Sequence, residues 1–230
     1  TVDQLVSEST EAARILSRHG IDFCSEGDRT LKEACSEAGV SLRKLLREIS
    51  FSEESRKSDA DVSTMSIDEL TRYIETYHHH YTVENMTFIR SSLSRLVRLY
   101  GEEYPELLAI RNTFDELTGP LLVHMQHEEF IVFPYIRQLA KKGRPVRSAM
   151  YRSANSPIPG MLTDHEKGAA LLRKLDELTN HYQAPRIEGN AIQITYKAIR
   201  ELEKDLQTHI TIENEILFPK ALEMEIRVSN

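Results

Sequence analysis

The sequence predicts an all-α protein, a four-helix bundle joined to a small helical amino-terminal domain. Three observations predict it. Apolar residues recur at helical spacing through four long stretches, about Ser66 to Tyr100, Glu106 to Lys142, Met161 to Tyr182 and Asn190 to Glu225. No stretch carries the two-residue alternation of a strand. A phrase also occurs twice: His124-x-x-x-Glu128 followed by Phe133-Pro134, and His209-x-x-x-Glu213 followed by Phe218-Pro219. In each copy the His and Glu lie four residues apart and so share one face of a helix.

The elements follow in order. Val2 to Arg18 reads as a first short helix, broken at Gly20. Thr30 to Ala38 reads as a second, opened by Asp28 or Thr30 and closed by Gly39, and Ser41 to Ile49 as a third. Ser52 to Thr64 is polar throughout and has nothing to bury, so it behaves as a linker. The expected organisation is a three-helix domain over 1–52, a linker over 53–65 and the bundle over 66–230. Turns separate the long helices at Gly101 to Pro105, Gly143 to Gly160 and Gln183 to Gly189. Amphipathic helices of this length bury their apolar stripes best against one another, and the interior of such a bundle is a usual place for a metal.

Composition narrows the function. The 230 residues are 40% hydrophobic, enough for a full core. Lys and Arg number 29 against 36 Asp and Glu, a net charge of −7 with no basic stripe, which excludes nucleic acid as a partner. No apolar run approaches the ~18 residues of a membrane span, and Thr1 to Thr10 lack the features of a secretory signal. The expectation is no membrane partner and a cytoplasmic location. Cys24 and Cys35 are too few for a disulfide scaffold, and a reducing compartment keeps both as thiols.

The repeated phrase carries the chemistry. Each copy is a metal half-site of one imidazole and one carboxylate, and the Phe-Pro tail packs the core and ends or kinks the helix. Two such pairs leave a pair of ions short of ligands. The third long helix offers His165 in an apolar stripe with Ala169, Leu172 and Leu175. The first offers the run His78-His79-His80, where Ile67, Leu70, Ile74, Tyr81, Met86, Ile89, Leu93 and Leu96 favour the phase of His78, Val83 and Phe88 give His80 some company, and His79 has least. The expected ligands are therefore His78, His124, Glu128, His165, His209 and Glu213, with two histidines per ion and both carboxylates bridging. Imidazole with carboxylate suits iron, manganese or zinc, and the lack of thiolate argues against a structural zinc or an iron-sulfur cluster. Asp164, beside His165, is a candidate proton carrier. His127 is expected on the rim, and His19 and His181 near helix ends, where partial positive charge suits the dipole.

These motifs resemble the Repair of Iron Centres family, which is hemerythrin-like. The resemblance covers nearly the whole chain. It rests on Tyr-His78, on His124-x-x-x-Glu128-Glu-x-Ile-x-Phe-Pro, on Asp-His165-Glu, on His209-Ile-x-x-Glu213-Asn, and on Gly20-Ile-Asp-Phe-Cys24-Ser-Glu-Gly27 with Thr-Leu-x-x-Ala-Cys35. It implies a hemerythrin-like bundle holding two iron ions, oxo-bridged. It also implies a role in nitrosative and oxidative stress, supplying iron to damaged iron-sulfur proteins or reducing nitric oxide. The alternative is a non-enzymatic oxygen or nitric oxide sensor. The family carries adjacent cysteines where this chain has Cys24 and Ser25. That leaves Cys24 as a single thiol for a metal or a thiol partner and Cys35 as a packed one. Oxygen-carrying hemerythrins are similar in fold but have a fifth histidine where this chain has Ala169, which leaves room for a small ligand such as nitric oxide or dioxygen. A homodimer through the amino-terminal domain completes the expectations.

Overall fold

A computed structural model describes residues 1–55, 61–142, 157–185 and 189–229, and among them every regular element is a helix. Four short helices come first: α1 Val2–Glu8, α2 Thr10–Arg18, α3 Leu31–Glu37 and α4 Leu42–Ser55. Three long helices carry a π-helical turn. In α5 (67–100) the turn is Ile74–His79, in α6 (106–142) it is Glu128–Val132, and in α8 (191–229) it is Glu213–Leu217. The fourth long helix, α7, runs Ile158–Leu178 without one. No helix among the described residues is long and apolar enough to cross a membrane.

The chain forms two compact units. The first comprises 1–60, 85–113 and 175–201. Its amino-terminal part departs from expectation at Ser9, which ends α1 in an extended conformation (φ −138°) and caps α2 by accepting a hydrogen bond from the Ala12 amide. Thr1 and Thr30 each form a capping box, with Gln4 and Glu33. Gly20 (φ 74°) and Gly39 (φ 67°) take left-handed conformations just past α2 and α3, a position that disfavours side chains. Val6, Ile15, Leu16 and Leu45 are fully buried, and Phe23 packs on Phe88 with ring centroids 6.0 Å apart. Asp22 pairs with Arg95, and its Oδ1 accepts from the Cys24 amide at 2.8 Å. Burial, then the charge of Asp22, pushes the Cys24 thiol up to about 12 despite Arg95, so at neutral pH it is a thiol rather than a thiolate. Cys35 is buried, as a packing residue should be.

The second unit comprises 61–84, 114–174 and 202–230 and takes a segment from each long helix. Its core joins Leu70 and Ile74 of α5, Phe133 and Ile136 of α6, Met161 of α7, and Leu217 and Phe218 of α8. Ser66 opens α5 with a further capping box to Glu69. The Phe-Pro tails do not end their helices. A proline ring clashes with the carbonyl four residues before it, and for Pro134 and Pro219 those carbonyls belong to Phe130 and Glu215. Both lie in the π turns, whose wider spacing accommodates the rings while the helices continue to Lys142 and Ser229. Much of the predicted Gly143 to Gly160 turn lies outside the described residues.

Candidate metal centre

Two groups of potential ligands meet inside the second unit. One is His79, Glu128, His209 and Glu213, and the other is His124, Glu128, His165 and Glu213. Within each group one donor atom per residue lies within 4.8 Å of all the others, and all six residues are buried. Glu128 and Glu213 belong to both groups and have no exposed surface. The donors converge at or just beyond hydrogen-bond distance. His209 Nε2 is 3.0 Å from Glu213 Oε1, His165 Nε2 is 3.1 Å from Glu213 Oε2, His124 Nε2 is 3.2 Å from Glu128 Oε1 and His79 Nε2 is 3.4 Å from Glu128 Oε2. Nε2 also faces Nε2, at 3.3 Å for His79 and His209 and 3.1 Å for His165 and His124.

Such spacing fits adjacent ligands around a shared ion with bonds of about 2.1 Å. Both Glu128 oxygens and Glu213 Oε2 are buried without a hydrogen-bond partner, a cost that a cation between them would offset. Buried carboxylates this close resist joint ionisation. Burial first and the charge of Glu213 second raise Glu128 to about 8, although His79 and His165 oppose the shift. Burial also acts to raise Glu213, but His209 and His165 outweigh it and hold that carboxyl well below the usual range. Cations between the two would let both ionise.

Five of the six expected ligands are thus brought together. His78 belongs to neither group, and His79 stands in the position expected of it. The cause is the π turn Ile74–His79. An α-helix returns to the face of Ile74 near position 78, whereas a π turn bonds i to i+5 and returns one residue later. Burial alone does not separate the two: His78 and His79 are 1% and 2% exposed, and it is the position of the donor atoms that distinguishes them. His78 is also buried, with Nδ1 3.1 Å from Asp205 Oδ1.

The sequence reading missed what surrounds the ligands. The residue after each shared Glu holds a histidine from another helix: Glu129 Oε1 lies 2.8 Å from His79 Nδ1, and Asn214 Oδ1 lies 2.9 Å from His165 Nδ1. The Phe of each Phe-Pro then stacks on that same histidine, Phe133 on His79 at 5.9 Å and Phe218 on His165 at 6.2 Å. Each copy of the phrase therefore supplies a His, a shared Glu, an acceptor that fixes a partner imidazole, and a ring that seats it. The signal was present in the matched positions after each Glu.

A cavity of about 400 Å3 reaches this cluster, lined by His124, His165 and His209 and by apolar Leu117, Leu121, Leu172, Leu206 and Ile210. Asp164 and Lys167 also line it. Asp164 is about half exposed, bonded to Lys167 at 3.2 Å, and its Oδ2 lies 3.7 Å from His124 Nδ1, beyond hydrogen-bond range. Of the remaining histidines, His127 is half-buried, His19 contacts Glu48 at 2.9 Å and His181 contacts Asp176 at 2.7 Å.

Comparison with known proteins agrees with this architecture. Residues 1–52 match a domain of unknown function, DUF542. Over nearly its whole length the chain is similar to proteins named iron-sulfur cluster repair protein. It is 24% identical to ScdA of Staphylococcus haemolyticus, covering 95% of this chain and 96% of that one. It is 26% identical to YtfE of Yersinia pseudotuberculosis, covering 94% and 93%, and 25% identical to YtfE of an Enterobacter species, covering 95% and 94%. The hemerythrin HHE cation binding domain matches residues 76–221, which include every member of both ligand groups, and the chain belongs to that family.

Proposed function

We propose that this protein is a di-iron protein of the nitrosative and oxidative stress response, acting in the cytoplasm. In this reading it repairs damaged iron-sulfur clusters by supplying iron and can reduce nitric oxide at the paired metals. The observation that carries the reading is the sharing of Glu128 and Glu213 between two complete ligand groups. His79 and His209 would hold one ion and His124 and His165 the other, with Glu128 and Glu213 available to both. Iron would supply redox change and open positions for a diatomic ligand. Manganese and zinc satisfy the same donors. The organisation into a 1–52 domain, a linker over 53–65 and a bundle over 66–230 belongs to the proposal, as do an oxo bridge and a homodimer.

The protein's own groups divide the remaining work. Leu117, Leu121, Leu206 and Ile210 keep water and hydrated ions out of the cavity while admitting an uncharged diatomic. Asp164, at the edge between that cavity and solvent, passes protons toward His124 through water. Glu129 and Asn214 hold His79 and His165 with Nε2 aimed at the shared carboxylates. Repair of a damaged cluster and consumption of nitric oxide are tested on protein of known metal content. Two irons per chain with either activity supports the reading. Iron-loaded protein that does neither contradicts it, and reversible gas binding without turnover favours the sensor.

A further inference from the structure

Beside the ligands runs a line of aromatic groups that metal binding does not use. Tyr73 and Tyr77, four residues apart on α5 and half-buried, stack with ring centroids 5.3 Å apart and planes 10° from parallel. Both meet His78 edge-on, at 5.4 and 5.2 Å. His78 stacks in turn on His209 at 5.5 Å and 10°. Every step falls within the ~4.5 to 7 Å of direct aromatic contact, so a continuous π path joins two phenols near the surface to a ligand of the centre.

His78 is a costly choice for a packing residue. It is 1% exposed, and its Nε2 is buried without a hydrogen-bond partner. An apolar side chain would fill the same space without that cost. Its Nδ1 is fixed by Asp205, whose second oxygen is likewise buried and unpartnered. That anion lies near Tyr73, whose phenol is raised by burial, then by Tyr77 and by Asp205. A fixed negative charge beside a line of rings favours loss of an electron from them.

We propose that Tyr73 and Tyr77 are built-in one-electron donors to the metal centre, acting through His78 and His209 when the centre meets hydrogen peroxide without another reductant. This rests on the metal-centre reading above. The balance closes with two phenols. Hydrogen peroxide accepts two electrons and two protons, its O–O bond breaks and two waters form. Each phenol gives one electron along the path and one proton to solvent, leaving two phenoxyl radicals. Stacked as they are, the radicals join by a carbon–carbon bond, and each ring then moves a hydrogen from carbon to oxygen to restore its phenol.

The test mixes protein of known iron content with one equivalent of peroxide, without reductant. Electron paramagnetic resonance then follows the radical, and peptide mass spectrometry the cross-link. The nine tyrosines of the chain provide an internal control. The expected result is a phenoxyl signal and a Tyr73–Tyr77 cross-link in iron-loaded protein, both lost in metal-free protein and in the Tyr73→Phe/Tyr77→Phe variant, which keeps the rings. His78→Leu should keep its iron and lose the signal. Oxidation spread over other tyrosines, or an unchanged signal in the double Phe variant, overturns the proposal. Loaded protein that forms no radical also overturns it and leaves the metal reading intact, whereas protein that binds no iron defeats the metal reading itself.

Discussion

The two copies of the repeated phrase share a geometry and differ in charge. His124 with Glu128 and His209 with Glu213 are each spaced one helical turn apart, each Glu opens a π turn, and each Phe-Pro seats a ring on a partner imidazole. Glu128 nevertheless stands raised while Glu213 stands lowered, because burial and the charge of Glu213 outweigh His79 and His165 at Glu128, whereas His209 and His165 outweigh burial at Glu213. The partner imidazoles differ as well: a carboxylate, Glu129, holds His79, and a neutral amide, Asn214, holds His165. Repetition thus sets where ligands stand. Their neighbours set how much charge each half carries.

The strongest way to break this comparison is to remove a shared carboxylate. Glu128→Ala and Glu213→Ala should each abolish binding of both ions, because either residue belongs to both groups; metal analysis that finds one ion kept in full would show that the carboxylates are not shared. The next effect separates adjacent histidines. His79→Ala should empty the site it shares with His209, whereas His78→Ala should retain its metal; the reverse pattern in elemental analysis would restore His78 as ligand. A smaller effect probes the orienting residues. Glu129→Gln should weaken metal binding about 10- to 100-fold, more than Asn214→Ala, since an anion raises the basicity of the imidazole it holds. Competition titration with a chelator reads both.

The smallest effect concerns metal-free protein and differs in sign between the copies. Glu128 titrates near 8 in the folded chain against 4.5 when unfolded, so the folded state holds a proton that the unfolded chain releases. Its contribution to stability therefore declines as pH rises across that window, by roughly 1 kcal/mol per pH unit. Glu128→Gln should stabilise metal-free protein at pH 8 and do little below pH 4.5. Glu213, lowered, contributes stability above the usual carboxylate range that is lost as pH falls through its folded value, so Glu213→Gln should destabilise at neutral pH. Denaturant midpoints at two pH values distinguish the cases.

Much of this was legible in the sequence, because long helices announce themselves by apolar period. The α6 helix begins at Glu106 and ends at Lys142 as its pattern predicts. Three features escaped for physical reasons. A π turn leaves no mark in the apolar count except a shift of one residue, and three adjacent histidines hid that shift at His78 and His79. Local hydrogen bonding also overrode periodicity: Ser9 splits the first helix, and α7 stops at Leu178 because Asn180, His181 and Tyr182 turn left-handed (φ 50°, 58° and 60°) while the Thr179 hydroxyl bonds the Leu175 carbonyl. Finally, nothing in the helical period marks Glu129 and Asn214 as partners of His79 and His165, because those contacts come from other helices. Helix periodicity reports a face, and it takes tertiary contact to say what that face meets.

The central claim is that two ions share Glu128 and Glu213, and anomalous X-ray diffraction at the iron edge on crystals of iron-loaded protein tests it most directly. The account predicts two peaks, one among His79, His209 and both carboxylates, the other among His124, His165 and the same carboxylates. A single peak, or one coordinated by His78, would contradict it.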